Sequence, residues 1–370
     1  MWIRTIALRN FRNYDSLDLE LNPGFNIFVG SNAQGKTNLL EAIYVLSLSK
    51  SYRTARDTEL IKHQAAQTRI EASVQRIAVL DLAVTVSEYE PKKLELNRKR
   101  TNANSFIGKL NTVLFIPDSL QLVKGSPGER RRFLDIQICQ VDPIYRGSLL
   151  KYQRVVRQRN SLLKSGYNQR SLLKQLPVWD NQLVGLGGKI VLRRQEALTR
   201  LNKISRSVHT KISGGLEELS VIYQPFFQKG QNYTQLSLQE IRDIFFGLVQ
   251  EKKQQEIRRG YTLVGPHRDD VAFLINGANI KRFGSQGQQR TAVLSYILAE
   301  MELMSQETGE YPVVLLDDVM SELDRKRRSF LLSVLNEKVQ TILTATNLSG
   351  FEQEILKTAS VFQIQSGKIF

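Results

Sequence analysis

The sequence predicts an α/β fold in which one sheet-containing domain is assembled from both ends of the chain and a helical domain is inserted between them. Three observations lead there. A glycine-rich stretch at 30–37 lies between an apolar run and an amphipathic segment; a short apolar run ends in two aspartates at 317–318; and a basic, helix-patterned stretch from 130 to 259 separates them.

In chain order, residues 1 to 29 hold short alternating apolar runs broken by Asn22-Pro23-Gly24, the pattern of strands and a turn. The run Phe25 to Val29 leads into Gly30-Ser31-Asn32-Ala33-Gln34-Gly35-Lys36-Thr37, which fits G-x-x-x-x-G-K-[ST]. Asn38 to Leu48 follows, with Leu39, Leu40, Ile43, Leu46 and Leu48 able to share one helical face. Strand, loop and helix are the context this motif requires. Its glycines let backbone N–H groups turn toward phosphate oxygens, and the helix N-terminus adds partial positive charge. Lys36 would then reach the β/γ phosphates of ATP, and the Thr37 hydroxyl would hold Mg²⁺.

Ser49 to Thr58 reads as a loop, Arg69 to Val86 as period-2 strands with antiparallel pairing, and Glu90 to Asn104 as a polar hairpin loop. Leu110 to Ile116 is a further apolar run closed by Pro117-Asp118. A domain boundary is expected after Val123-Lys124-Gly125-Ser126-Pro127-Gly128-Glu129, where the arginines 130–132 begin. The expected head comprises 1–129 and 260–370, and the expected helical domain 130–259. In the latter, Leu183, Leu186, Ile190, Ala197, Leu201, Ile204, Val208 and Ile212 form a stripe at helical spacing. Tyr261 to Val264 and Val271 to Ile275 look like strands, with Asn276-Gly277 as a tight turn.

Val313 to Leu316 suits a buried parallel strand, and it ends in Asp317-Asp318. Asp317 is the expected Mg²⁺ ligand, and Asp318, one residue further, is placed to activate the attacking water. Lys36 and Asp317 are 281 positions apart, too far for a compact phosphate-loop fold; removing the 130 residues from 130 to 259 leaves 151, which suits one α/β domain. Upstream, Ser285-Gln286-Gly287-Gln288-Gln289 opens a helix. Its glycine- and glutamine-rich start is expected to leave the helix amides bare for a phosphate.

The net charge is +16, and residues 130–260 hold 24 Lys/Arg against 10 Asp/Glu, so 24 − 10 = +14 of it sits there. That concentration points to a polyanion, with nucleic acid preferred over an acidic protein. The single cysteine, Cys139, excludes an internal disulfide and suggests a reducing compartment. With no signal peptide and no long apolar run, a cytoplasmic location is expected.

These motifs resemble the ATP-binding cassette ATPases of the chromosome-maintenance group, and within it the RecF family. The resemblance spans nearly the whole chain: Leu8-Arg9-Asn10-Phe11-Arg12-Asn13-Tyr14, the phosphate loop with Asn38 to Ile43, Val123 to Pro127, Gly265-Pro266-His267-Arg268-Asp269-Asp270, and the Ser285 segment. It implies an ATP-dependent homodimer on DNA that works with RecO and RecR to place RecA at gaps. It also implies that Ser285, Gly287 and Gln288 form a signature facing the ATP of the opposite subunit, and that Ser321-Glu322-Leu323-Asp324 is a D-loop at the dimer interface. Asp318 stands where the wider group has Glu, and Thr346 where many members have His; both suggest slow hydrolysis. His63 and His209 are expected at the surface. The competing readings are an ATP-gated DNA scaffold with incidental hydrolysis, a transporter ATPase, for which the basic insertion has no role, and a small-molecule kinase, which explains neither the signature nor the charge.

Overall fold

The computed structural model describes residues 1–165, 169–227, 236–336, 339–349 and 351–370. The chain forms two compact units: residues 1–119 with 297–370, and residues 120–296.

The first unit holds two six-stranded sheets. One is antiparallel throughout. It joins β1 (Trp2–Phe11), β2 (Tyr14–Glu20), β4 (Gln67–Gln75), β5 (Val79–Ser87), β6 (Lys93–Leu96) and β7 (Lys99–Thr101) in the order β2-β1-β4-β5-β6-β7. The polar stretch expected as a loop around 90–104 thus contributes two short strands. Its turn lies at Asn97-Arg98, both with positive φ (51° and 63°), as a two-residue hairpin requires.

The other sheet contains β3 (Phe25–Val29), β8 (Thr112–Phe115), β12 (Val313–Asp317), β13 (Thr341–Ala345), β14 (Ser360–Gln365) and β15 (Lys368–Ile369), in the order β15-β14-β3-β13-β12-β8. All its pairs are parallel except β14 with β15. β12 and β13 are buried at every residue, which is why Val313 to Leu316 of β12 reads as an unbroken apolar run, whereas β13 carries Thr341 and Thr344 within its buried length. Register places Asp317 opposite Thr344 and Ala345 opposite Val29. The C-terminal ends of β3, β13 and β12 therefore line up along one edge, where open α/β sheets place ligands. Helix α1 (Lys36–Leu48) follows β3 through the phosphate loop and is almost wholly buried.

The second unit is built on α2 (Pro127–Val141), α3 (Pro143–Ser165), α4 (Gln169–Ser213) and α5 (Leu238–Arg259). Capping boxes, Ser126 with Glu129 and Ser237 with Glu240, start α2 and α5. Gly260, with φ 72°, ends α5. Helix α6 (Gln286–Thr308) follows the signature serine.

Two expectations are corrected here. Leu219–Gln224 forms strand β9 inside the stretch read as helical, and Tyr261 to Val264 is not a strand. The compact unit spans 120–296, a wider stretch than the 130–259 proposed for the helical domain. The reason is that β9 pairs along its length with β10 (Asp270–Ile275), itself paired with β11 (Ala278–Asn279), and Arg130 of α2 binds Asp270 through two hydrogen bonds of 2.7 and 2.8 Å. Residues 166–168 and 228–235 of the expected helical domain lie outside the described residues.

Candidate nucleotide site

The phosphate loop leaves β3 at Gly30, whose N–H donates to Ala345 O at 3.3 Å. A Cβ on Gly30 would lie 2.3 Å from Ile364 O. Gly35 has φ 115°, and a Cβ there would lie 2.7 Å from Asn13 Nδ2, so both glycines of the motif are demanded by backbone geometry. Ser31, Asn32 and Ala33 form the exposed crest.

Gln34 ties the loop down from three directions. Its carbonyl accepts from Asn13 Nδ2 (3.1 Å) and from Gly367 N–H (3.0 Å), and its side-chain Oε1 accepts from Ser366 N–H (2.5 Å). The Tyr14 hydroxyl donates to Gly35 O at 3.0 Å. The N-terminus of α1 has neither a side-chain cap nor an acidic residue in its first turn, so its dipole and amides are left for an anion.

The Lys36 ammonium donates to Gly30 O (2.5 Å) and Ser31 O (2.8 Å). Desolvation holds its pKa below the usual lysine value, opposed by the charges of Asp318 and Asp317. Thr37 Oγ1 donates to Asp317 Oδ1 at 3.0 Å. Thr344, which no local motif marks in the sequence, completes this edge: its hydroxyl donates to Asp317 Oδ1 (2.7 Å) and accepts the Asp318 N–H (3.0 Å). Asp318 adopts a left-handed conformation, φ 51°. Desolvation raises its pKa, Lys36 lowers it, and Asp317 and Glu322 raise it further. That is the direction that makes a carboxylate a better base. Hydroxyl and carboxylate oxygens at the end of β12, beside a lysine and bare helix amides, match the donors that Mg²⁺ and a triphosphate require.

Lys36, Thr37, Asp317 and Asp318 are thus brought together, whereas Ser285, Gly287 and Gln288 belong to the second unit. There the amide end of α6 is capped, contrary to expectation. Ser285 Oγ accepts the Gln288 N–H at 3.2 Å, and Gln288 Oε1 accepts the Ser285 N–H at 2.9 Å. Gly287 O accepts from Thr291 Oγ1 at 2.8 Å. His209, expected at the surface, is fully buried, with Ser295 and Glu217 at its two ring nitrogens.

The Gly265 to Asp270 segment forms an internal clasp of the second unit. Asp269 is fully buried, accepts from Arg194 Nη1 (2.8 Å), the Tyr223 hydroxyl and Phe226 N–H (2.9 Å), and has its pKa lifted by burial to about 6. His267 shares a hydrogen bond of 2.7 Å with the Tyr152 hydroxyl, and burial lowers its pKa to about 4.

Residues 2–369 match the family model of the RecF/RecN/SMC N-terminal domain. The chain is 44% identical over its whole length to the DNA replication and repair protein RecF of Bacillus cytotoxicus, covering 98% of that protein. It is 42% identical over its whole length to that of Halalkalibacterium halodurans, covering 99% of it. Among solved structures it superposes on the recombination mediator protein RecF-ATP of the RecFOR pathway with a TM-score of 0.89 at 32% identity, covering all of this chain and 97% of the other. The Smc head domain from Pyrococcus furiosus, with its extended coiled coil and bound to the C-terminal domain of ScpA, shares the fold alone (TM-score 0.55, 15% identity, 100% and 96% covered). The sequence matched by the family model, the full-length identity and the shared fold place the chain in the RecF family.

Proposed function

We propose that this protein is an ATP-dependent DNA-binding protein of recombinational repair and a weak, DNA-dependent ATPase. ATP and Mg²⁺ drive its homodimerisation, slow hydrolysis limits its residence on DNA, and RecR, with RecO, joins it in loading RecA in the cytoplasm. The hydrogen-bonded run Thr37–Asp317–Thr344 beside Lys36 carries this reading. It sets hard oxygen ligands and a cation around one point at the N-terminus of α1. Thr37 and Asp317 would hold the Mg²⁺, which neutralises phosphate charge; Lys36 would contact the β/γ phosphates, and Asp318 would receive the proton of the attacking water. The RecF relatives and the RecF-ATP structure support the nucleotide assignment. The DNA assignment is supported by the +14 charge of residues 130–260 and by α3, which has no Asp or Glu and exposes Lys151, Arg154, Arg157 and Lys164.

Ser285, Gly287 and Gln288 would close the ATP site of the opposite subunit in a two-fold dimer. Sedimentation with and without ATP and DNA tests this. Lys36→Met is expected to abolish ATP-induced dimers through lost binding, and Ser285→Arg to abolish them while monomeric ATP binding persists. Mixing the two variants is expected to restore at most one working site per mixed dimer. A Ser285→Arg protein that loses monomeric binding overturns the composite site.

A second reading, an ATP-gated DNA clamp with incidental hydrolysis, draws on the short carboxylate of Asp318. Equal DNA dwell times with ATP and with a non-hydrolysable analogue favour it over the first.

A further inference from the structure

The amide of Gln288 has one acceptor and two donors, and its neighbours fix which way it points. Oε1 accepts the Ser285 N–H, and Nε2 donates to Glu217 Oε1 at 2.9 Å. A flipped amide would set oxygen against carboxylate and NH₂ against N–H, so the anion at Glu217 determines the orientation. Ser285 Oγ in turn accepts the Gln288 backbone N–H, whichever way the side-chain amide points, and the hydroxyl proton is not spent in this pair.

Glu217 is itself held. Its Oε2 lies 3.2 Å from Nε2 of His209, whose side chain is fully buried, and His209 Nδ1 lies 3.1 Å from Ser295 Oγ. His209 sits in the final turns of the long helix α4. After it, Gly214 and Gly215, both with positive φ (68° and 83°), reverse the chain and bring Glu217 back beside His209. A shift of the α4 end relative to α6 therefore acts on the Ser285 cap through three side chains.

We propose that Glu217 is a positioning residue that couples the long helix of the basic unit to the signature serine. It sets the Gln288 amide, and through it the presentation of Ser285 to a phosphate. The inference rests on the reading of Ser285 as the residue that closes the partner's ATP site.

The test compares Glu217→Ala, Gln288→Glu and the exchange Glu217→Gln with Gln288→Glu, using full-length protein, ATP and duplex DNA. The exchange keeps every hydrogen bond of the set: the amide introduced at position 217 would accept from His209 and donate to the carboxylate introduced at position 288, which would still accept the Ser285 N–H. Glu217→Ala is expected to leave monomeric ATP affinity and DNA affinity without nucleotide within about twofold, and to raise the ATP-dependent dimer dissociation constant roughly tenfold. Stimulation of hydrolysis by DNA falls with it. Gln288→Glu, which opposes two carboxylates, is expected to be at least as defective, and the exchange to recover most of the dimerisation. Parent-like dimerisation of Glu217→Ala overturns the inference, as does an exchange variant no better than Gln288→Glu. Ser285→Arg, run in parallel, separates the two levels. If it dimerises normally the composite site itself fails; if it does not, while Glu217→Ala does, only the coupling fails.

Discussion

Thr37 and Asp317 are joined by a 3.0 Å hydrogen bond across 280 positions of the chain, and Thr344 donates to the same carboxylate oxygen. One aspartate of the pair 317–318 is thus turned into the loop, while the other, left-handed in backbone, lies beyond it. Asp317→Asn is expected to weaken Mg²⁺-dependent ATP binding. Asp318→Asn is expected to bind ATP within about twofold of the parent and to lower hydrolysis by roughly 10²–10⁴, the usual contribution of a general base. Fluorescent-nucleotide titration beside single-turnover hydrolysis checks both; equal hydrolysis by Asp318→Asn and the parent places the base elsewhere.

Thr344→Val keeps shape but removes a buried hydroxyl that serves both aspartates. The Asp318 N–H then lacks its acceptor, a loss of about 1–3 kcal/mol. We expect a lower melting temperature and slower hydrolysis, with ATP affinity affected less than turnover. A variant with full turnover would show that the hydroxyl does not set the carboxylates.

Gly367 has φ 75°, and a Cβ there would approach Asn13 O to 2.9 Å, while its N–H holds Gln34 O. Gly367→Val should loosen the phosphate loop, weakening ATP binding roughly tenfold while leaving DNA binding without nucleotide unchanged. Calorimetric titration with ATP decides it; unchanged affinity would rule out this anchor.

Arg159 is fully buried and binds Asp180 Oδ1 (2.8 Å), Thr262 Oγ1 (2.9 Å) and Glu256 Oε2 (2.6 Å). Arg159→Met strands two buried carboxylates, and the loss of stability in urea unfolding is expected at about 3–5 kcal/mol. A loss below about 1 kcal/mol would mean that the cluster relaxes into solvent.

His267 and Asp269 titrate with opposite signs. The His267 pKa lies at about 4, below its ordinary 6.5, so as pH falls through that window the unfolded chain gains a proton the folded one refuses, and stability is lost. The Asp269 pKa lies at about 6, above its ordinary 3.8, so the folded state takes up its proton first and stability is gained as pH falls. The two offset each other near pH 5. His267→Gln removes the first contribution alone, so its melting temperature relative to the parent is expected to rise steadily from pH 6.5 to 4.5. A pH-independent difference excludes His267 as the titrating group.

The parts of the site that come from contiguous residues are legible in the sequence, because the phosphate loop and the strand ending in Asp317-Asp318 carry their chemistry in local spacing. Thr344 is not, since its role depends on the register of β13 against β12. Glu217 is hidden for the same reason: it reaches Gln288 across 71 positions. Strand β9 does carry a signal, with Leu219, Val221 and Tyr223 buried in alternation, but helical stripes on either side mask it. Tyr261 to Val264 has strand composition without a strand partner, and its Thr262 instead bonds to Asn160 and Arg159. His209 reads as a surface residue because polarity alone says nothing about two buried partners.

Among the described residues strand β3, which launches the phosphate loop, pairs with β13 and β14, so Phe25 waits for Thr341 and Asn26 for Ser360 before the strand is built into its sheet. On the ribosome, a nascent chain would carry the whole glycine-rich motif in the open for most of its synthesis without a floor beneath it. The floor of the loop thus arrives late and at once, and a product terminated before β13 would carry the glycine-rich motif without the sheet that seats it.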